Sequence, residues 1–544
     1  MARSAEGTTP VVSVFVRQAT GLVRELSWFD TFIMVFAILN VPLGLSEVAA
    51  FATGASAYPA ANMPLAFIFS APAMLTLGMV YALFTAAMPR SGGDYVWTSR
   101  ILHPSIGFGV NVFVSFVLLS SAGLNSLLMA TWFLPPVFHI LGLDGLAAFS
   151  ADTTGIGAVT VGTIVTLLLL GVFLLGLRRV RQIMFGLFAF ISLGTILWMI
   201  LLFALPHSDF VTMFNANQGS GAYQSVLASA TKTGFAILPS AVFLNTFSAV
   251  IYAFQSYNGF QNSGYFSGEI KQASSSAIRA MLFALVFGAI GFSLGMLAIY
   301  HYFGQDFIGA LATNGLAFPN STLLPFPAVM PSLGLFVTDN GFVHMIIALT
   351  FLAAIFWIQP PAVLIGTRNL FAWSFDRVLP GRLASVNDRL HSPVIATVIV
   401  AIIIELFTLI TIKTTFFGNL LGLAAFSALI GVVVSFAAVI FPFRRPDIFE
   451  KSPAIVRARL LGIPAISIWG ALSMIVNGVL CYIAFSSPPF GGSSNVLDPT
   501  FLKGVFFSAL GLIIPIVFYF VSRFVSRSTR KLDIAQAFEE IPPE

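Results

Sequence analysis

Apolar positions fall into twelve long runs, near residues 28–51, 63–87, 105–135, 157–177, 183–205, 238–265, 278–303, 341–370, 393–412, 418–442, 463–486 and 501–525. Short polar stretches separate them. At ~1.5 Å rise per residue, each run is long enough to cross a hydrocarbon core about 30 Å thick. The pattern therefore predicts an all-α membrane protein with twelve transmembrane helices. Two runs, five spans apart, are interrupted: Asn40-Val41-Pro42-Leu43-Gly44 breaks the first and Ser256-Tyr257-Asn258-Gly259-Phe260 the sixth. A bilayer tolerates unpaired backbone only where it is buried in protein or faces water. Breaks at corresponding places in two halves of such a chain are the best pointer to a transporter's binding site.

Spans 1–5 (28–205) and 6–10 (238–442) read as two units of opposite orientation, because each holds an odd number of spans and opens with a broken one. The external loop 206–237 joins them. Spans 11 and 12 (463–525) form an appendix that suits packing or homodimer formation. Residues 1–27 form a polar N-terminal segment without a cleavable signal. The segments 206–237 and 304–340 suit short surface helices, and 526–544 reads as a solvated tail without catalytic meaning.

Composition sharpens this picture. Of the 544 residues 58% are hydrophobic and only 9% charged, where a soluble protein carries about 25% charge. The net charge of +5 does not indicate nucleic acid. All but Lys232, Lys413 and Lys503 of the 26 basic residues fall on the side shared by the two termini, which the positive-inside rule makes cytoplasmic. The partners expected are thus a small molecule and the lipid bilayer, at the plasma membrane. The single cysteine, Cys481, excludes an intrachain disulfide or a cysteine metal cluster. The six histidines show no metal-ligand spacing, and no phosphate-binding Gly-x-x-x-x-Gly-Lys-Ser/Thr motif occurs. No cofactor and no enzyme activity are expected. Asn320-Ser321-Thr322 matches a glycosylation sequon in an expected external loop.

Four motifs appear in order. Pro89-Arg90-Ser91-Gly92-Gly93-Asp94-Tyr95-Val96-Trp97 follows span 2, and the stretch Phe254 to Lys271 covers span 6 and its end. Asp376-Arg377-Val378-Leu379-Pro380 with Val386-Asn387 follows span 8, and Arg445-Pro446-Asp447 follows span 10. Together they resemble the amino acid–polyamine–organocation superfamily over roughly residues 28–450. The resemblance implies a LeuT-like five-plus-five inverted repeat with discontinuous helices 1 and 6, both termini cytoplasmic, and alternating access. It also implies a substrate at the two breaks, commonly an amino acid or an amine. Three departures stand out. Val41-Pro42-Leu43 occupies the family's glycine-rich segment, Gln261 stands where an acid usually closes the span 6 motif, and span 5 has no lysine.

Chemistry at the breaks follows from the residues. Pro42 has no N–H for the carbonyl of Ile38, so helix 1 should split there and resume near Leu43-Gly44. The resumed helix presents free N–H groups to an anion, and the freed carbonyls suit an ammonium or a cation. Gly259 permits unwinding. Phe254, Tyr257 and Phe260 offer rings for packing or cation–π contact, and Gln255, Ser256 and Asn258 offer neutral polar groups. Glu47 and Glu405 are the carboxylates well inside spans, Asp30 and Glu269 lying near their cytoplasmic ends. Glu47 sits two turns beyond Asn40 and suits an outer gate or proton carrier, the alternative being a carboxylate at the water-filled vestibule; Glu405 suits packing. Thr350 would serve a sodium site with the Ile38 carbonyl, or bond its own helix. Asn111 and Ser115, like Ser121 and Asn125, share faces of span 3 that would line the pathway or join helices. Pro360-Pro361 should kink span 8.

The expected function is secondary transport of amino acids or related small amines, with neutral or hydrophobic substrates favoured and coupling to H+, Na+ or exchange. A nucleobase, organic cation or carboxylate on the same fold is the nearest rival, and a channel or transport-dead receptor the remoter one.

Overall fold

The computed structural model describes residues 24–387, 393–414, 423–487, 493, 495, 497–531 and 533–541. The N-terminal segment up to residue 23 and Glu544 lie outside them. The chain folds as a multi-pass integral membrane protein. Among the described residues eleven helices are long and apolar enough to cross a bilayer, against the twelve runs in the sequence. The difference lies in 238–265. There the helix Val242–Tyr257 has 16 residues, about 24 Å, and stops at Asn258-Gly259 before a 3-10 segment, Phe260–Glu269. Gly259 has φ of 115°, a conformation in which a Cβ is strained.

The first span begins with a reciprocal cap. The Asp30 N–H donates to the Ser27 hydroxyl at 3.2 Å and the Ser27 N–H to the Asp30 carboxylate at 3.0 Å. It packs along Ala273–Phe303, whose Gly288, Gly291 and Gly295 face Leu39, Val41 and Leu45. A Cβ on Gly288 would lie 2.6 Å from Leu39 Cδ2, so these glycines let both halves of the broken span lie against one continuous helix. The eighth run also divides, into Gly341–Trp357 and Gln359–Phe375, just ahead of Pro360-Pro361.

Buried ion pairs gather at the Arg-rich end of the bundle. Glu269 receives Arg368 Nε and Nη2 at 2.6 and 2.7 Å, both side chains about 1% exposed. Asp376 pairs with Arg100 at 2.8 Å. The tail corrects its sequence reading. Ile534, Ala537 and Phe538 are buried, and the Phe538 ring lies 4.8 Å from the Arg100 guanidinium. Arg100 also donates to the carbonyls of Ala537 and Glu540. Ile534 and Phe538, four residues apart, give this polar segment an apolar face to dock.

Candidate functional site

The first break is made by Asn40. It adopts φ 49°, a left-handed conformation that Asn tolerates better than other side-chain-bearing residues. Its N–H closes the preceding helix on the Phe36 carbonyl at 3.0 Å, and its own carbonyl accepts Gly44 N–H at 2.9 Å. The carbonyls between, of Ala37, Ile38 and Leu39, therefore have no helical partner. The second helix starts at Val41, two residues ahead of the sequence expectation, with Pro42 in its first turn and Asn40 as its cap. The expected anion-binding N–H groups are consumed by the chain. Leu43 N–H donates to Asn40 Oδ1 at 3.3 Å, Gly44 N–H is taken as above, and Pro42 has none. Asn40 Nδ2 donates to the Ala354 carbonyl at 2.5 Å, fastening the break to the eighth run.

The second break is bridged by Gln261. Its Oε1 accepts Gly259 N–H at 3.0 Å and its Nε2 donates to Asn258 Oδ1 at 3.0 Å. An ionised carboxylate at this position could accept but not donate, whereas the amide does both. Asn258 Nδ2 donates onward to Ser427 Oγ at 2.6 Å. A Cβ on Gly259 would overlap the Ile38 side chain, so the two breaks are in contact.

Between them lies a cavity of about 700 Å³, within the range of small-molecule sites. Ile38, Asn40, Leu43, Gly44 and Glu47 line it from the first span, and Gln255, Ser256, Asn258 and Gly259 from the sixth run. Ser121 and Asn125 complete one wall. Tyr81, Tyr252, Gln261, Asn262, Tyr265, Gln359 and Ser427 also line it, and the sequence reading did not assign these to the site. Glu47 is half-buried, and no hydrogen bond or ion pair reaches it from the described residues.

Other candidates lie elsewhere. Val41 packs on Gly291, and Phe254 is buried off the cavity. Tyr257 donates its hydroxyl to the Phe67 carbonyl at 3.1 Å, with its ring against Phe292. Phe260 packs on Gly78, and neither it nor Pro42 lines the cavity. Thr350 donates to its own helix at Ile346, 2.7 Å, and packs on Gly194. Glu405 accepts the Thr163 hydroxyl at 2.6 Å, a packing contact.

Asn111 and Ser115 belong to a buried network at the cavity floor. Asp94 accepts the Tyr265 hydroxyl at 2.6 Å, the Tyr81 hydroxyl at 3.3 Å and Asn111 Nδ2 at 2.6 Å. Trp373 Nε1 donates to Asn111 Oδ1 at 2.8 Å, and Asn369 Nδ2 to Ser115 Oγ at 2.8 Å. Burial pushes the Asp94 carboxyl up to about 6, and its three side-chain donors pull the other way. Tyr81 and Tyr265 both face the cavity, so Asp94 holds its floor from behind. An acid in an otherwise uncharged Gly-Gly turn was the signal for it.

A family model described as amino acid permease matches residues 26–497. No curated protein matches the chain.

Proposed function

Since the chain belongs to the amino acid permease family, we propose that it is a secondary transporter of small amine-bearing molecules, working by alternating access in the plasma membrane. The observation that carries this reading is the cavity at the contact of two broken helices, lined by both. The cavity reaches Phe51 and Ser56, beyond the second half of span 1, and is floored by Tyr81 and Tyr265 toward the Arg-rich end. In this reading the Arg-rich end is cytoplasmic, the short sixth run is the twelfth span, and the two five-span units form a LeuT-like inverted repeat. On this reading the cavity opens to the outside. Inward opening requires Tyr81 and Tyr265 to leave Asp94 while the outer helices close.

Uncharged polar groups at the breaks fit a substrate whose remainder is neutral or apolar, driven by a cation gradient or by exchange. The test is uptake of labelled amino acids and amines by proteoliposomes holding the purified chain. Saturable flux, accelerated by unlabelled substrate on the opposite side, is expected; flux that never saturates would indicate a channel. Gly259→Leu should abolish uptake, because its side chain would displace Ile38 and push the breaks apart. Normal uptake by that variant would reject the site.

A further inference from the structure

We infer that this cavity selects a cationic amine that carries no α-carboxylate, with Glu47 as its counter-charge. The inference rests on the transporter reading and narrows its substrate. A zwitterionic amino acid needs donors for its carboxylate as well as acceptors for its ammonium. At both breaks most backbone donors are already used: Leu43 and Gly44 N–H by Asn40, Gly259 N–H by Gln261, Asn258 N–H by the Phe254 and Gln255 carbonyls, and Asn262 N–H by the Gly259 carbonyl. The remaining first-turn N–H groups are those of Val41 and Phe260, which do not line the cavity, and of Gln261, which does. No Lys, Arg or His lines it among the described residues.

Acceptors are in surplus. The carbonyls of Ala37, Ile38 and Leu39 are released by the helix break. The Oε1 atoms of Gln255 and Gln359 are buried without a partner. Glu47 is the one charged side chain on the cavity wall among the described residues. A carboxylate inside a membrane is costly unless a cation or a proton offsets it, and here no cation of the protein does. Tyr81, Tyr252, Tyr265 and Phe51 add rings that attract a cation by their faces. A free carboxylate on the ligand would meet Glu47 and these acceptors with no cation of the protein to offset it, only neutral donors such as Ser121, Asn125 and Asn262.

Matched probes separate the possibilities. Thermal stability of the purified full-length protein is measured against 2-phenylethylamine, phenylalanine and 3-phenylpropanoate, and against 3-methylbutylamine and leucine. A ligand that binds only the folded state raises stability with its concentration. The amines are expected to stabilise at concentrations at least about tenfold below those of their amino acids, and 3-phenylpropanoate not at all; a tenfold ratio corresponds to about 1.4 kcal/mol. Glu47→Gln should erase most of that preference without lowering the ligand-free melting temperature, and Glu47→Asp should keep it. Amino acids binding as tightly as the amines, silence from both amines, or an unchanged preference in Glu47→Gln would overturn the inference. Proteoliposome uptake distinguishes the two levels. Flux of phenylalanine without flux of 2-phenylethylamine rejects the amine selectivity and keeps the transporter, whereas no saturable flux of any probe rejects both.

Discussion

The cavity and the Arg-rich end are built on opposite principles. At the cavity, two neutral amides, Asn40 and Gln261, satisfy the broken backbone, and the single carboxylate is left without a partner among the described residues. At the Arg-rich end the buried charges are paired: Arg368 with Glu269, and Arg100 with Asp376 and the tail. Neutral caps hold a shape and leave electrostatic demand for a ligand to meet. Buried pairs meet their own demand and leave nothing for a ligand, which suits an element that seals.

The largest effect should come from breaking a sealed pair. Arg368→Ala strands the Glu269 carboxylate in the interior and is expected to cost about 3–5 kcal/mol. Thermal unfolding in detergent measures it, and joint replacement with Glu269→Leu and Arg368→Met should recover most of the loss. A single variant within about 1 kcal/mol of the parent would break the contrast between the two ends.

The next effect is a pH dependence at the floor. Burial holds Asp94 at about 6, above its ordinary 3.8. Between those values the folded chain keeps the proton and the unfolded chain has lost it. The resulting stability is therefore full below about pH 3.8 and is lost as pH rises through 6, on the order of 3 kcal/mol in all. Melting curves of the parent and Asp94→Asn between about pH 4 and 7 check this. The variant should flatten that part of the slope, and parallel curves would reject it.

The smallest effect belongs to the cavity. Gln261→Glu keeps the acceptor for Gly259 and removes the donor to Asn258, so it should cost about 1 kcal/mol. The loss should be smaller at low pH, where a protonated carboxyl regains an O–H. A loss as large as that of Arg368→Ala would mean that the breaks, and not the ion pairs, dominate stability.

Much of this was legible before any coordinates. Pro42 and Gly259 mark the two breaks, and the long apolar runs mark the spans. The turn at the first break was misplaced because Asn40 makes it through a left-handed backbone and a side-chain cap, neither of which hydrophobic pattern encodes. Span 3 shows a second blindness. Asn111 and Ser115 share their periodicity with Ser121 and Asn125, yet lie about 15 Å lower along the helix at ~1.5 Å per residue, and periodicity carries no depth. The first pair therefore joins the floor and the second the wall. The sixth run looked like one span because its hydropathy averages over Asn258-Gly259. Asp94 stands in a recognisable motif, but its role is not encoded there, since its three donors come from separate parts of the chain.

The docked tail has a mechanical consequence. Its buried stretch bears on the same guanidinium that holds Asp376, so the chain's end and that salt bridge are coupled in series. A load on the residues after Phe538 bears first on the Glu540 and Glu539 carbonyls, which accept from Arg100 and Arg445. The tail is a lever arm, and a fluorophore placed on it would report strain at the Arg-rich end without touching the cavity.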